Sequence, residues 1–330
     1  MYSDDDLASA VKAGVLSDES AAAFRRHVAQ RHDGAWVDDE RFRLVTGFND
    51  IFVVIACALA LVSTAWIGAV VAPSIGVLTG AAAAWGLAEF FTRKRRMALP
   101  SIVLFLAFVG GLCAAGMLIF EHTRFTLVGA AILSLAGAWL HWLRFRVPIS
   151  VAAGVAAAIA AVVALLLASV PEAQAWLTPI SFVAGLVVFA LAMRWDSMDP
   201  LRQTRRSDVA FWLHLLAAPL LVRSVFAALG VAEGGTSAVE AVAVIALYVA
   251  IALVSLSIDR RALMVAALSY VLYTFSTLLK QYGVVGLNFA VTALALGSAL
   301  LLLSAYWHSS RAFVLKHLPG ALQRRLAPSS

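Results

Sequence analysis

Ten apolar segments of membrane length occupy the sequence between residues 51 and 306. A peptide group exposed to lipid must form its hydrogen bonds within its own segment, so these segments are predicted to be transmembrane helices. Hydrophobic residues make up 62% of the 330 residues and charged ones only 13%, too apolar a mixture for one aqueous core. The predicted fold class is all-α, a polytopic transmembrane helix bundle of about ten spans, at 51–71, 75–92, 99–120, 125–143, 148–170, 176–193, 208–229, 238–258, 262–280 and 284–306.

The basic residues fall on alternate links between these spans. With the N-terminus inside, all but three of the 25 basic residues lie on the inner side, the exceptions being Arg124, Arg223 and Lys280. A miscounted span would invert every later link, so this alternation supports ten spans with both termini cytoplasmic, in a cytoplasmic (inner) membrane. The net charge of +6 is then explained by cytoplasmic loops that face anionic lipid, and no nucleic-acid partner is predicted.

Two polar segments flank the predicted transmembrane domain, which covers residues 49–308. Residues 1–48 are predicted to form a cytosolic helical hairpin, with a break at Gly14 and an N-cap at Ser17. This hairpin either packs on the cytoplasmic loops or docks a cytosolic protein partner through residues 1–45. Residues 309–330 have leucines at helical spacing among basic residues, which is typical of an amphipathic segment lying on anionic lipid.

The stretch LASAVKAGVLSDESAAAFRRHV at residues 7–28 has a short pattern around Ala13-Gly14 and Ser17. It resembles the cytosolic hairpin that precedes the membrane domain in a family of uncharacterised bacterial multi-span membrane proteins, a domain of unknown function. The resemblance implies a bacterial membrane protein with this order of parts. It implies no catalytic residues.

A parallel internal repeat is suggested by two pairs of short matches. The segment at 46–54 resembles that at 205–213, and the segment at 95–108 resembles that at 260–273. The matched spans are the first with the seventh and the third with the ninth. A step of six spans preserves orientation, so the repeat would be parallel and not inverted.

Three ionisable residues near span ends have structural explanations beside functional ones. Asp50 and Asp208 lie at the cytoplasmic N-termini of their spans, where a carboxylate can cap free N–H groups and interact with the helix dipole. Arg223 is close enough to the outer surface to extend its guanidinium into water. Glu89 is expected to pair with Arg93, four residues later. Asp50, Asp208 and Arg223 are secondary candidates for a functional site.

His214 lies deeper, about two turns into the seventh span, and no surface is within easy reach. Pro219 cannot donate to the carbonyl of Leu215, so that carbonyl is left free near the imidazole. The two residues together suggest a hinge or a proton site. The alternative is a single hydrogen bond from the imidazole to a serine or threonine on a neighbouring helix.

The ninth span contains the clearest polar pattern in the apolar part of the sequence. Its polar residues recur at i, i+3, i+4, i+7 and i+11, and an asparagine follows in the tenth span: Tyr270, Tyr273, Thr274, Thr277, Gln281 and Asn288. Lipid would penalise such a face, so it should contact either other helices or a wet cavity. The third span instead offers a small-residue packing face that includes Gly110, Gly111 and Gly116.

No motif of a known catalytic or metal-binding class is found, so no cofactor and no metal are predicted. The leading hypothesis is a transporter-like protein for a small solute or lipid-like molecule. Its cavity would lie between spans seven, nine and ten, with His214 as the titratable group. The alternative is a non-transporting scaffold or sensor that acts through the N-terminal hairpin, and a membrane enzyme is the third hypothesis.

Overall fold

The computed structural model of the protein describes residues 4–24, 48–121, 123–199, 204–228, 238–260 and 305–317, with single residues or pairs between 264 and 302. The chain divides into two compact units. The first contains the N-terminal hairpin and the second contains the apolar helices.

The N-terminal unit contains helix α1 (Asp4–Lys12) and a second helical segment at 18–24. Gly14 ends α1 with a φ of 70°, the left-handed conformation that glycine adopts without a steric penalty. Ser17 begins the second segment, because its Oγ accepts a hydrogen bond of 3.1 Å from the backbone N–H of Ser20. The predicted break at Gly14 and cap at Ser17 are therefore confirmed.

Among its described residues, the second unit has eight apolar helices and one shorter helix. These are α2 (Phe48–Ala69), α3 (Pro73–Ala88), α4 (Ala98–Ile119), α5 (Thr126–Phe145), α6 (Ile149–Ser169), α7 (Leu177–Ser197), α8 (Arg205–Ala228), α9 (Ala238–Ile258) and α10 (Trp307–Lys316). A π-helical turn, Glu89–Lys94, continues α3, and a 3-10 turn, Pro171–Trp176, precedes α7.

Seven helices among the described residues are long and apolar enough to cross a membrane, namely α2 to α8 with their extensions, and the chain is a multi-pass membrane protein. Helix α9 matches the eighth predicted span, with a shorter apolar stretch at Val242–Ile258. Most of the ninth and tenth predicted spans lie outside the described residues. The total of ten spans and the internal repeat therefore remain predictions.

Consecutive helices from α2 to α6 pack against each other in order, as their short links require. Small residues bring their backbones together: a Cβ on Gly116 of α4 would lie 2.4 Å from the Cα of Ala130 in α5. Beyond α6 the order changes, because α6 packs on α8 more extensively than on α7. In the most apolar window of α8, 50% of the residues are buried, against 6% in α2, so α8 is central and α2 mainly faces lipid.

The beginning of α10 is buried against the end of α9. The Trp307 indole donates a 2.7 Å hydrogen bond to Oδ1 of Asp259, and Arg311 Nε lies 3.7 Å from the same oxygen. Both Trp307 and Arg311 are almost completely buried. Arg311 therefore pairs with a buried carboxylate, and the amphipathic character predicted for residues 309–330 stays a prediction.

Candidate functional site

His214 is fully buried in α8, and its imidazole contacts a carboxylate on α7. Its Nε2 lies 2.9 Å from Oδ2 of Asp196, and its ring meets that of Phe189 edge-on, with centroids 5.4 Å apart. An ionised carboxylate only accepts hydrogen bonds, so Nε2 is the nitrogen that carries the proton in this contact. The sequence analysis gave a hydrogen bond to a serine or threonine as the alternative to a proton site. The partner of Nε2 is instead a carboxylate.

Arg260, the second residue after the end of α9, binds the same carboxylate. Its Nη2 donates to Oδ1 of Asp196 at 2.5 Å and its Nε to Oδ2 at 3.3 Å, a two-pronged geometry that favours arginine. The same Nη2 lies 3.3 Å from the carbonyl oxygen of Ser207 in α8. Only 2% of the Arg260 side chain is exposed, and 14% of Asp196. A charged triad is thus formed by Asp196, His214 and Arg260. It joins α7, α8 and α9.

The backbone around the triad directs Arg260 inwards. Asp259 adopts a φ of 57°, the left-handed conformation, which ends α9 and turns the chain back. The N–H of Arg260 then bonds to the carbonyl of Ser255 at 3.0 Å, and the Ser255 hydroxyl donates to the carbonyl of Arg260. The Asp259 carboxylate is held in turn by Trp307, so α10 supports this turn.

Asp199, near the end of α7, binds Thr204, the residue before α8. Its Oδ2 accepts hydrogen bonds from the N–H of Thr204 at 2.8 Å and from the Thr204 hydroxyl at 2.6 Å. The Thr204 Oγ1 also accepts from the N–H of Arg206 at 3.3 Å, so Thr204 caps α8. The predicted cap Asp208 lies one turn further on, where it interacts electrostatically with Arg260 and Arg205.

One carboxylate of the triad, Asp196, contacts both His214 and Arg260, and Asp208 also interacts electrostatically with Arg260. Asp196 neutralises Arg260, and a neutral imidazole adds no charge. Protonation of His214 would create a second cation that competes with Arg260 for Asp196. Buried charges are stable only when they are paired, so this competition would weaken the contacts of the triad. An ionisable cluster in a transmembrane domain is a functional candidate for this reason.

The other predicted site residues lie at different places. Asp50 is buried in the first turn of α2, and Arg223 is exposed near the opposite end of α8 from the triad. Arg223 lines a cavity of about 440 Å³ with Thr178, Ser181 and Ser224. The predicted polar stripe lies outside the described residues: Tyr270, Tyr273, Thr274, Thr277, Gln281 and Asn288.

A second buried histidine, His141 of α5, was not among the predicted candidates. Its Nδ1 lies 3.1 Å from the Ser150 hydroxyl, and its Nε2 has no hydrogen-bond partner among the described residues. Aromatic rings surround it, the nearest being Phe145 and Phe105, with centroids at 4.6 and 4.8 Å. His141 has no carboxylate partner here, so it provides a matched comparison for His214.

Two residues of the triad, Asp196 and Arg260, were not predicted as site residues from the sequence. The sixth span was predicted to end at residue 193, which placed Asp196 in a loop, whereas α7 continues to Ser197. The signal was present, since Asp196 continues the buried i, i+4 stripe of Val188 and Ala192. Arg260 gave no such signal, because its direction depends on the left-handed turn at Asp259.

Groups of three or more residues able to hold a metal ion are absent from the part of the chain that the structure describes. The described cysteines, Cys57 and Cys113, are both free. Comparisons with protein-family models, with curated proteins and with solved structures find no match to this chain.

Proposed function

We propose that this multi-pass membrane protein is a transporter-like carrier for a small solute or lipid-like molecule. The observation that supports it best is the buried charged triad, which joins α7, α8 and α9 at the end of the bundle predicted to be cytoplasmic. In the proposal the triad is a gate that holds this end closed. Ionisable clusters buried between transmembrane helices are typical of ion-coupled carriers.

The opposite end of α8 supports the same proposal. The cavity beside Arg223 lies among α6, α7 and α8, and Thr178 and Ser181 contribute hydroxyl groups to it. A cavity at one end and a buried charged contact at the other are consistent with a carrier that opens to one side of the membrane at a time. Pro219 lies between them within α8 and removes one backbone hydrogen bond there. The cavity predicted between spans seven, nine and ten stays a prediction.

The direction of the response to pH follows from the charges. A proton on His214 gives the triad two cations that share the carboxylate of Asp196, which weakens the contact between Arg260 and Asp196. Acidification is therefore proposed to open the gate on the cytoplasmic side, which the arginine-rich links face. Both termini would lie on this cytoplasmic side of a bacterial inner membrane, as the distribution of basic residues and the hairpin resemblance favour.

Cysteine labelling tests the proposal without knowledge of the solute. In a background with Cys57 and Cys113 replaced by alanine, single cysteines replace Ala210, buried one turn before His214, and Ser181 in the cavity. The rate at which a water-soluble thiol reagent labels each cysteine is divided by the labelling rate of a cysteine at an exposed position, Ser197→Cys. Between pH 8 and pH 5.5 we expect labelling of Ala210→Cys to rise several-fold and labelling of Ser181→Cys to fall.

Variants of the two buried histidines provide the control. His214→Gln should remove the dependence on pH at both positions, whereas His141→Gln should preserve it, because no carboxylate of the described residues contacts His141. Equal labelling at both pH values in the unsubstituted background would contradict the gate. A rise at Ala210→Cys without any fall at Ser181→Cys would contradict alternating access.

The second candidate function is a scaffold or sensor that acts through a cytosolic partner of residues 1–45. The observation that favours it is the separate N-terminal unit, with its own cap and turn. In a scaffold the triad would only join helices. The labelling experiment separates the two functions, since a scaffold predicts the same protection of both cysteines at either pH.

A further inference from the structure

A cavity of about 210 Å³ lies at the same predicted cytoplasmic end as the triad, on the other side of α8. Three arginines line it, namely Arg96 before α4, Arg146 after α5 and Arg205 in the first turn of α8. One carboxylate, Asp208, shares the lining. The three arginines come from separate links of the chain, and together they leave the lining positively charged.

The backbone is unusual at two of these arginines. Arg96 and Arg146 have φ values of 52° and 56°, in the left-handed region that favours glycine. Arg146 ends α5, donating from its N–H to the carbonyl of Trp142 at 3.0 Å, and its guanidinium lies 5.6 Å from the Trp142 ring centroid. Glycine would fit this turn with less strain. Strained residues of this kind concentrate at ligand sites.

A buried hydroxyl provides a second, independent observation. Thr92 lines the same cavity, and its Oγ1 has no hydrogen-bond partner among the described residues although it is shielded from solvent. A buried hydroxyl without a partner is unfavourable unless a ligand or water completes its hydrogen bond. The neighbouring Ser101 differs, because its hydroxyl donates to the carbonyl of Met97.

We propose that this cavity binds a phosphate group. Arginine matches the geometry of phosphate oxygens, and the Thr92 hydroxyl is a further donor for such an oxygen. Basic pockets between transmembrane helices at the cytoplasmic surface are positioned for the headgroups of anionic lipids. The phosphate belongs either to an anionic phospholipid or to a free ion, and both present the same oxygens to the three arginines.

The site does not depend on the proposed transport function. Arg205, Asp208 and Trp212 form its α8 wall, and the helix turns that hold them also hold Ser207 and His214 in contact with the triad. A bound phosphate would therefore stabilise the position of α8 whether α8 moves in transport or only packs. A labelling result that contradicts the gate would therefore not contradict the proposed phosphate site.

Thermal denaturation of the purified protein in a neutral detergent tests the site. Phosphatidylglycerol, phosphatidylcholine and inorganic phosphate are titrated separately, and the midpoint of unfolding gives an apparent affinity. Arg96→Gln with Arg146→Gln should weaken binding of the effective ligand by about tenfold or more, since two charged donors are lost. The matched control is Lys94→Gln with Arg206→Gln, which removes the same charge from exposed residues outside the lining and should change the affinity less than about twofold.

The three ligands distinguish the sources of the phosphate. Stabilisation by phosphatidylglycerol alone supports a lipid headgroup, and stabilisation by inorganic phosphate as well supports a site for phosphate in general. The proposal is overturned if none of the ligands stabilises the protein, or if the cavity variant and the control weaken binding equally. If the double variant does not fold, Thr92→Val keeps the side-chain volume, and it should still weaken binding severalfold through loss of the hydroxyl.

Discussion

Replacement of Asp196 by asparagine should lower the free energy of unfolding by about 3–5 kcal/mol, because Arg260 would stay buried without its carboxylate. His214 would also lose the anionic acceptor of its Nε2 proton. The loss is measured by equilibrium unfolding in mixed micelles. The midpoint of thermal unfolding in detergent should fall in parallel.

The origin of this loss is tested by removing both charges. Asp196→Asn combined with Arg260→Met should be more stable than Asp196→Asn alone, since no unpaired cation remains buried. Glu89→Gln is the matched control, because Glu89 also binds an arginine in two-pronged fashion, with Arg144 donating at 2.7 and 2.9 Å. That pair is exposed to solvent, so its loss should have a small effect. Equal effects of Asp196→Asn and Glu89→Gln would contradict the burial of the triad.

Gly116→Ala should destabilise the protein by about 1–3 kcal/mol through overpacking. The added Cβ would lie 2.4 Å from the Cα and 2.9 Å from the N of Ala130, and both atoms belong to the backbone of α5. A side chain could rotate away from such a contact, but a packed helix backbone has to shift as a whole. Thermal unfolding in detergent measures the change.

Gly110 of the same helix provides the control for Gly116. A Cβ at Gly110 would meet no atom of the described residues within 4 Å, so Gly110→Ala should leave the stability unchanged or raise it through the better helix propensity of alanine. If the two substitutions had the same effect, contact between α4 and α5 would not be the cause.

Much of the membrane fold follows from local sequence patterns. Apolar length placed the first eight predicted spans within a few residues of α2 to α9, except at the end of α7. Local spacing also predicted the Ser17 cap and the ion pair of Glu89 with Arg93, which are confirmed at 3.1 and 3.5 Å. These features depend on residues at most four positions apart, so the sequence contains everything needed to predict them.

The triad depends on contacts between residues far apart in the chain, and this is why it was only partly predictable. His214 stood out because a histidine two turns inside an apolar segment is expensive to bury. Its partner Asp196 is 18 residues away, and Arg260 is 64 residues from Asp196. The strong Arg144 partner of Glu89 is 55 residues away and was missed for the same reason. Similarly, the small-residue face of α4 was predicted, but only packing distinguishes Gly116 from Gly110.

The most direct test of the central claim is pH-driven solute flux in proteoliposomes. A dye that reports luminal pH is enclosed, and a panel of small anionic, neutral and lipid-like solutes is added across an imposed pH gradient. At least one solute should cause proton flux through the unsubstituted protein and through His141→Gln. This flux should be lost in His214→Gln. Flux that is unchanged in His214→Gln, or the absence of proton-linked flux for every solute of the panel, would contradict a carrier gated by the charged triad.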